Sequence, residues 1–180
     1  MFKHETGEYN KLVLDIKNND KFLKLKEDVH HGTTKYEHCE KVSHLSFMIS
    51  KFLRLDYKKI TRAALLHDFF YGQRNDGENS YLNHPFLSAR NAEEVFNVSK
   101  EEADMIKTHM FPYALVTTIT PFAHYKENIT LKETTPTSKG GWVICLSDVL
   151  VSFTEWGRYR ISFTLSIILL FIINMVTLNK

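Results

Sequence analysis

The chain has 180 residues, 43% of them apolar and 24% charged, with a net charge of +2 from 23 Lys+Arg and 21 Asp+Glu. That length suits one domain with a substantial core, and this composition excludes a globally disordered chain. Lys and Arg are scattered without a dense basic tract, which argues against nucleic acid as the primary partner.

In chain order, Tyr9, Leu12, Val13, Ile16, Phe22, Leu23 and Leu25 alternate with charged residues and are interrupted at Asn18-Asn19-Asp20, which predicts two short amphipathic helices. His30-His31-Gly32-Thr33-Thr34 reads as a turn. Val42, Leu45, Met48, Ile49, Phe52 and Leu53 recur at spacings of three and four, so Tyr36–Leu55 is expected to be a helix of about five turns with His38 near its start. Asp56 is placed to cap a helix from Tyr57 to Phe70, which carries His67 and Asp68 near its C-terminal end. Residues 71–83 have the composition of a loop. His84-Pro85 opens a helix that continues through Ala89, Ala92, Val95 and Phe96, with proline tolerated in the first turn.

Ser99-Lys100-Glu101-Glu102 has the capping-box pattern and starts a helix to His109, stopped by Pro112. Residues 113–140, with Pro121, Pro136 and Gly140, are expected to form a long irregular connection. From Trp142 a helix carries Val143, Ile144, Leu146, Asp148, Val149, Leu150 and Phe153. The tail Ile161–Asn179 has no charged residue and follows Arg158 and Arg160. A helix over 161–178 would be about 27 Å long. It reads either as a helix docked on the domain or in a homodimer, or as a membrane span anchoring the tail to the cytoplasmic face. Helices outnumber strands throughout, so the fold class is all-α. The expected organisation is an N-terminal helical segment (1–29), the main domain (30–156) and an apolar C-terminal helix (157–180). Cys39 and Cys145 form no CxxC pair, and no signal peptide is visible in Met1–Asn10, so a cytoplasmic protein with reduced thiols is expected.

The nine histidines need an explanation. His38, His67, His84 and His109 each fall near an end of a predicted helix, Asp68 follows His67 directly, and Asp148 lies inside the last helix of the domain. Imidazoles with carboxylates make a nitrogen and oxygen set suited to Mn, Fe or Zn rather than Ca or Mg. Asp68 is the natural bridge, because a carboxylate can offer one oxygen to each of two ions. His44 lies six residues past His38, about 240° round the helix, and should not share the ion. His30, His31 and His124 read as surface or turn residues.

The ordered pattern H…HD…H…H…D resembles the HD-domain superfamily of metal-dependent phosphohydrolases, in its two-metal form. Tyr36-Glu37-His38-Cys39 is similar to that family's first-ligand helix, and Arg62-Ala63-Ala64-Leu65-Leu66-His67-Asp68 to its signature helix. His84-Pro85 with Ser88 and Ala89 resembles the HPxxSA-type motif. Ile106-Lys107-Thr108-His109 resembles the next ligand motif, and Ile144-Cys145-Leu146-Ser147-Asp148 the terminal aspartate helix. The resemblance covers about residues 30–156.

It implies a single helical bundle in which His38, His67, Asp68 and Asp148 hold one divalent ion and Asp68, His84 and His109 hold a second. Mn or Fe is expected first, with Zn, Ni and Co also within the range of the set. The implied chemistry is attack of a metal-activated hydroxide on phosphorus, cleaving a phosphoester in a nucleotide or other small phosphorylated substrate. Arg62, Arg74 and Lys107 then become candidates for contacts to substrate phosphate, and Tyr71, Tyr81 and Phe111 for a pocket lining. The sequence His67-Asp68-Phe69-Phe70-Tyr71 lacks the lysine of the HDIGK motif, and no GYP segment follows, which argues against cyclic di-GMP as substrate. Two other functions fit the same ligand pattern: a di-iron oxygenase of the myo-inositol-oxygenase type, and a non-catalytic module that binds a nucleotide.

Overall fold

The stretch Gly141–Val149 is buried at every position, as befits a largely apolar helix against which four others pack. The computed structural model describes residues 2–30, 33–71, 83–111, 131–156 and 161–177. The helices are α1 (Phe2–Lys17), α2 (Asp20–Leu23), α3 (Lys35–Phe52), α4 (Tyr57–Leu65), α5 (His84–Phe96), α6 (Lys100–Lys107), α7 (Leu131–Thr134), α8 (Lys139–Trp156) and α9 (Ile161–Thr177), with a 3₁₀ turn at Lys24–Lys26. A two-residue antiparallel ribbon, β1 (Val29–His30) and β2 (Thr33–Thr34), leads into α3. The protein is therefore an all-α bundle, as its periodicity predicts.

Several helix starts follow directly from local chemistry. Thr34 and Glu37 form a capping box on α3, and Ser99 and Glu102 form one on α6, each satisfying otherwise unpaired N–H groups. The Asp56 carboxylate accepts from the Lys59 N–H at the start of α4. Asn97 closes α5 in the left-handed conformation, at φ 50°.

Two expectations change. The connection expected over 113–140 contains α7, and α8 begins at Lys139, three residues before Trp142; residues 112–130 lie outside the described residues. Gly140 permits that early start, since a Cβ there would sit 2.7 Å from Met105 Sδ and 3.0 Å from Ile60 Cγ1. The second change is the rotation of α3. Its buried face is Tyr36, His38, Cys39, Val42, Ser43, Ser46, Phe47 and Ser50, whereas Met48 is exposed and Phe52 is 84% exposed. Small hydroxyl residues line the inside of this helix and let α4 and α8 approach. Two of the three find carbonyls: Ser43 donates to Thr61 O at 2.9 Å and Ser50 to Ser46 O at 2.6 Å. Val42 is buried and Leu45, Ile49 and Leu53 pack partly buried against the core, so the inward face is turned from the apolar row toward the serines.

Tyr9, Val13 and Ile16 of α1, with Phe22 and Leu25, join the main core. The C-terminal helix packs on α8 through Leu170 and Phe171 beside Trp142 and Cys145, and through Ile168 and Phe171 beside Leu146 and Val149. Leu169, Ile172, Ile173 and Val176 remain exposed. No helix among the described residues is long and apolar enough to cross a membrane.

Candidate metal centre

The two residues expected near the end of a helix lie just beyond it. The last hydrogen-bonded turn of α4 ends at Leu65, and Leu66 N–H reaches back to Arg62 and Ala63 O at 3.2 and 3.1 Å. His67 and Asp68 occupy the turn that follows. A helix end leaves carbonyls of its last turn unpaired, and His67 uses one of them, with Nδ1 2.8 Å from Ala64 O. His109 repeats this device after α6, with Nδ1 2.8 Å from Ile106 O. In both, Nδ1–H donates to the carbonyl three residues back, so the ring is fixed and Nε2 carries a lone pair.

The remaining side chains converge on these two rings. The His67 ring lies 5.3 Å from that of His38 and 4.8 Å from that of His109, which lies 5.1 Å from that of His84. His84, the first residue of α5, brings its Nε2 to 3.2 Å from His109 Nε2. Asp68 spans the cluster. Its Oδ1 is 3.2 Å from His84 Nε2 and 3.5 Å from His109 Nε2, while its Oδ2 is 3.9 Å from His67 Nε2. Asp148, on α8, has Oδ1 3.0 Å from His38 Nε2 and 3.9 Å from His67 Nε2. All six side chains are buried. Three ligand sets have their donor atoms mutually within 4.8 Å: His38, His67 and Asp68; His67, His109 and Asp148; and Asp68, His84 and His109.

Electrostatics divide the cluster. Burial opposes charge on His38, but its hydrogen bonds to Asp148 and Glu155 outweigh it and push the pKa up to about 9. Burial dominates at His67 and pushes it down to about 4, so this imidazole is neutral at ordinary pH. Burial would raise the Asp148 carboxyl, yet the facing His38 and His67 rings hold it below the usual carboxylate range. Burial also raises the thiols of Cys39 and Cys145 well above their ordinary value, so neither is a nucleophile at neutral pH.

These residues fit divalent cations. His67 Nε2 is buried and has no hydrogen-bond partner, an arrangement that costs stability unless a Lewis acid takes the lone pair. Neutral imidazole with ionised carboxylate is the donor set of a transition-metal site. The two oxygens of Asp68 face different imidazoles, as a bridging carboxylate requires.

The cations proposed for substrate fare differently. Arg62 faces α1, where Nη1 and Nη2 pair with Asp15 at 2.6 and 2.7 Å and Nη1 donates to Leu12 O at 2.9 Å. It ties α1 to α4, with its guanidinium engaged by Asp15. Lys107 lies 3.8 Å from Asp104 on its own helix, and Arg74 lies outside the described residues. Phe111 packs edge-on against Trp142, and Tyr71 donates to Lys21 O at 2.8 Å; Tyr81 lies outside the described residues. His44 packs edge-on against Tyr9, apart from the cluster.

Two neighbours of the centre escaped the sequence reading. Glu155 accepts from His38 Nδ1 at 2.9 Å; its spacing of seven from Asp148 on one helix was the available signal. Lys35 is buried, pairs with Asp28 at 2.6 Å and places Nζ 3.5 Å over the Phe70 ring. Phe70 in turn covers His84, with ring centroids 5.1 Å apart. Nothing in the local sequence distinguishes Lys35 from the chain's exposed lysines.

A family model described as "HD domain" matches residues 36–151. No curated protein and no solved structure matches the chain.

Proposed function

Because the chain belongs to the HD-domain family, whose members are metal-dependent phosphohydrolases, we propose that it hydrolyses a phosphoester in a nucleotide or another small phosphorylated substrate, using two divalent cations, Mn or Fe foremost. The observation that best supports this reading is the bridge: Asp68 turns Oδ1 toward His84 and His109 and Oδ2 toward His67, within one buried cluster. His38, His67, Asp68 and Asp148 would hold one ion, and Asp68, His84 and His109 the other. Cations bound there supply the acidity that activates water and the positive charge that offsets the phosphate oxygens. The chain's own part is orientation: His67 and His109 are locked by main-chain carbonyls, His38 by carboxylates. Phe70, held beneath the Lys35 ammonium, covers His84 and keeps bulk water from that side. Both cysteines are free and buried, which suits the reducing cytoplasm proposed as its compartment.

The test is metal analysis of protein purified without oxygen, followed by a panel of nucleotides and phosphomonoesters with Mn²⁺ or Fe²⁺. Phosphate release that disappears in Asp68→Ala is the expected result. Iron-dependent oxygen uptake without phosphate release, or no bound metal with any ion, would overturn it.

A further inference from the structure

His38 lies across two carboxylates of one helix. Asp148 and Glu155 are seven residues apart on α8, hence two turns along nearly one face. The imidazole meets both: Nε2 is 3.0 Å from Asp148 Oδ1, and Nδ1 is 2.9 Å from Glu155 Oε2. Asp148 belongs to the ligand cluster and Glu155 does not. The other oxygen of Glu155, Oε1, is 2.8 Å from Nζ of Lys41, one turn beyond His38 on α3.

The need for such a partner follows from where His38 sits. His67 and His109 follow helix ends and take a carbonyl three residues back. His38 is in the first turns of α3, which continues to Phe52, so the carbonyls beside it are committed to the helix. Its Nδ1–H must find an acceptor on another element. Glu155 is that acceptor, its side chain 10% exposed and its carboxylate shared between His38 and the Lys41 ammonium.

We propose that Glu155 is the positioning residue of the metal centre. By accepting the Nδ1–H of His38 it holds the ring in place, keeps the proton on Nδ1 and leaves Nε2 to the ion. Lys41 holds the carboxylate in the geometry that does this. The negative charge also makes the imidazole a stronger donor, which sets the His38 ion apart from the one held by Asp68, His84 and His109. This inference rests on the metal-centre reading above.

The experiment titrates Mn²⁺ into the metal-stripped full-length chain, as wild type, Glu155→Ala, Glu155→Gln and Lys41→Met. Glu155→Ala is expected to weaken the tighter binding step by about 10–100-fold and leave the other step unchanged. Glu155→Gln retains an acceptor oxygen without the charge and should lose less, and Lys41→Met least. If the alanine variant fails to fold, the glutamine variant carries the test. A long-range ¹H–¹⁵N correlation spectrum of the Zn²⁺-loaded protein reports the tautomer directly. His38 should be Nδ1-protonated in wild type and lose that single form in Glu155→Ala, while His67 and His109 keep theirs. A merely structural role would lower the melting temperature and move neither the His38 tautomer nor one binding step selectively. Wild-type affinity in both Glu155 variants, or an unaltered His38 spectrum, would overturn the proposal while leaving the metal centre standing. A wild-type protein that binds neither Mn²⁺ nor Zn²⁺ would overturn both.

Discussion

The two sides of the metal centre hold their imidazoles by different means. On one side, His67 and His109 are anchored by carbonyls of the helices they have just left. On the other, His38 is anchored by carboxylates that come from a helix 110 positions further along the chain. The first device is local: a helix end supplies an unpaired carbonyl, and a histidine placed in the next turn uses it. The second exists only once α3 and α8 have packed. The electrostatic outcomes are opposite. Burial leaves His67 neutral, its pKa pushed down to about 4, whereas the carboxylates on His38 outweigh burial and raise its pKa to about 9. The cluster combines imidazoles held by the ends of their own helices with one whose anchoring depends on the packed bundle.

The largest effect is expected where the halves meet. Asp68→Ala removes the oxygens facing both groups of imidazoles, and metal content should fall below detection, with turnover down by roughly 1,000-fold or more. Elemental analysis beside the phosphoester assay checks it. Next comes His109→Ala, which strips one donor from the second set only. One ion should remain bound of two, with turnover lower by on the order of 100-fold; a variant that retains both ions would break the division.

The opposite pKa shifts make opposite predictions for the metal-free protein. The His38 contribution is fully present below its ordinary pKa of 6.5 and is lost as pH rises through about 9. The His67 contribution is present above 6.5 and is lost as pH falls through about 4. Melting temperature against pH should therefore fall on both flanks of near-neutral pH, each flank worth on the order of a few kcal/mol. Removing Glu155 should flatten the alkaline flank and spare the acidic one.

The smallest effects lie away from both halves. Phe171→Ala undoes the contact of α9 with the residues around Trp142 and Leu146. It should cost about 1–3 kcal/mol, seen in thermal melts, without changing metal content. Phe52→Ser, at a position 84% exposed, should stay within about 0.5 kcal/mol; a larger loss would mean that the buried face of α3 is misassigned.

What could be read from the sequence was whatever is written locally. The capping boxes at Thr34–Glu37 and Ser99–Glu102 satisfy groups within one turn, so Ser99 announced α6 in advance. His84-Pro85 marked the start of α5 because the first turn of a helix does not need the N–H that proline lacks. The ligand order His38, His67-Asp68, His84, His109, Asp148 was likewise legible, because the family that carries it is identified by residue types in order along the chain. The rotation of α3 was not, because Ser43 and Ser50 face inward by virtue of the carbonyls they meet there. Arg62 looked like a free cation until α1 delivered Asp15 to it. Glu155 and Lys35 acquired their places from partners far away in the chain, through Nδ1 of His38 and the ring of Phe70. The sequence by itself determined which atoms could bind a metal and, through caps at Thr34, Asp56 and Ser99, where α3, α4 and α6 begin. Only the tertiary structure decided how each ring is held and charged, because those properties come from burial and from neighbours that no local pattern specifies.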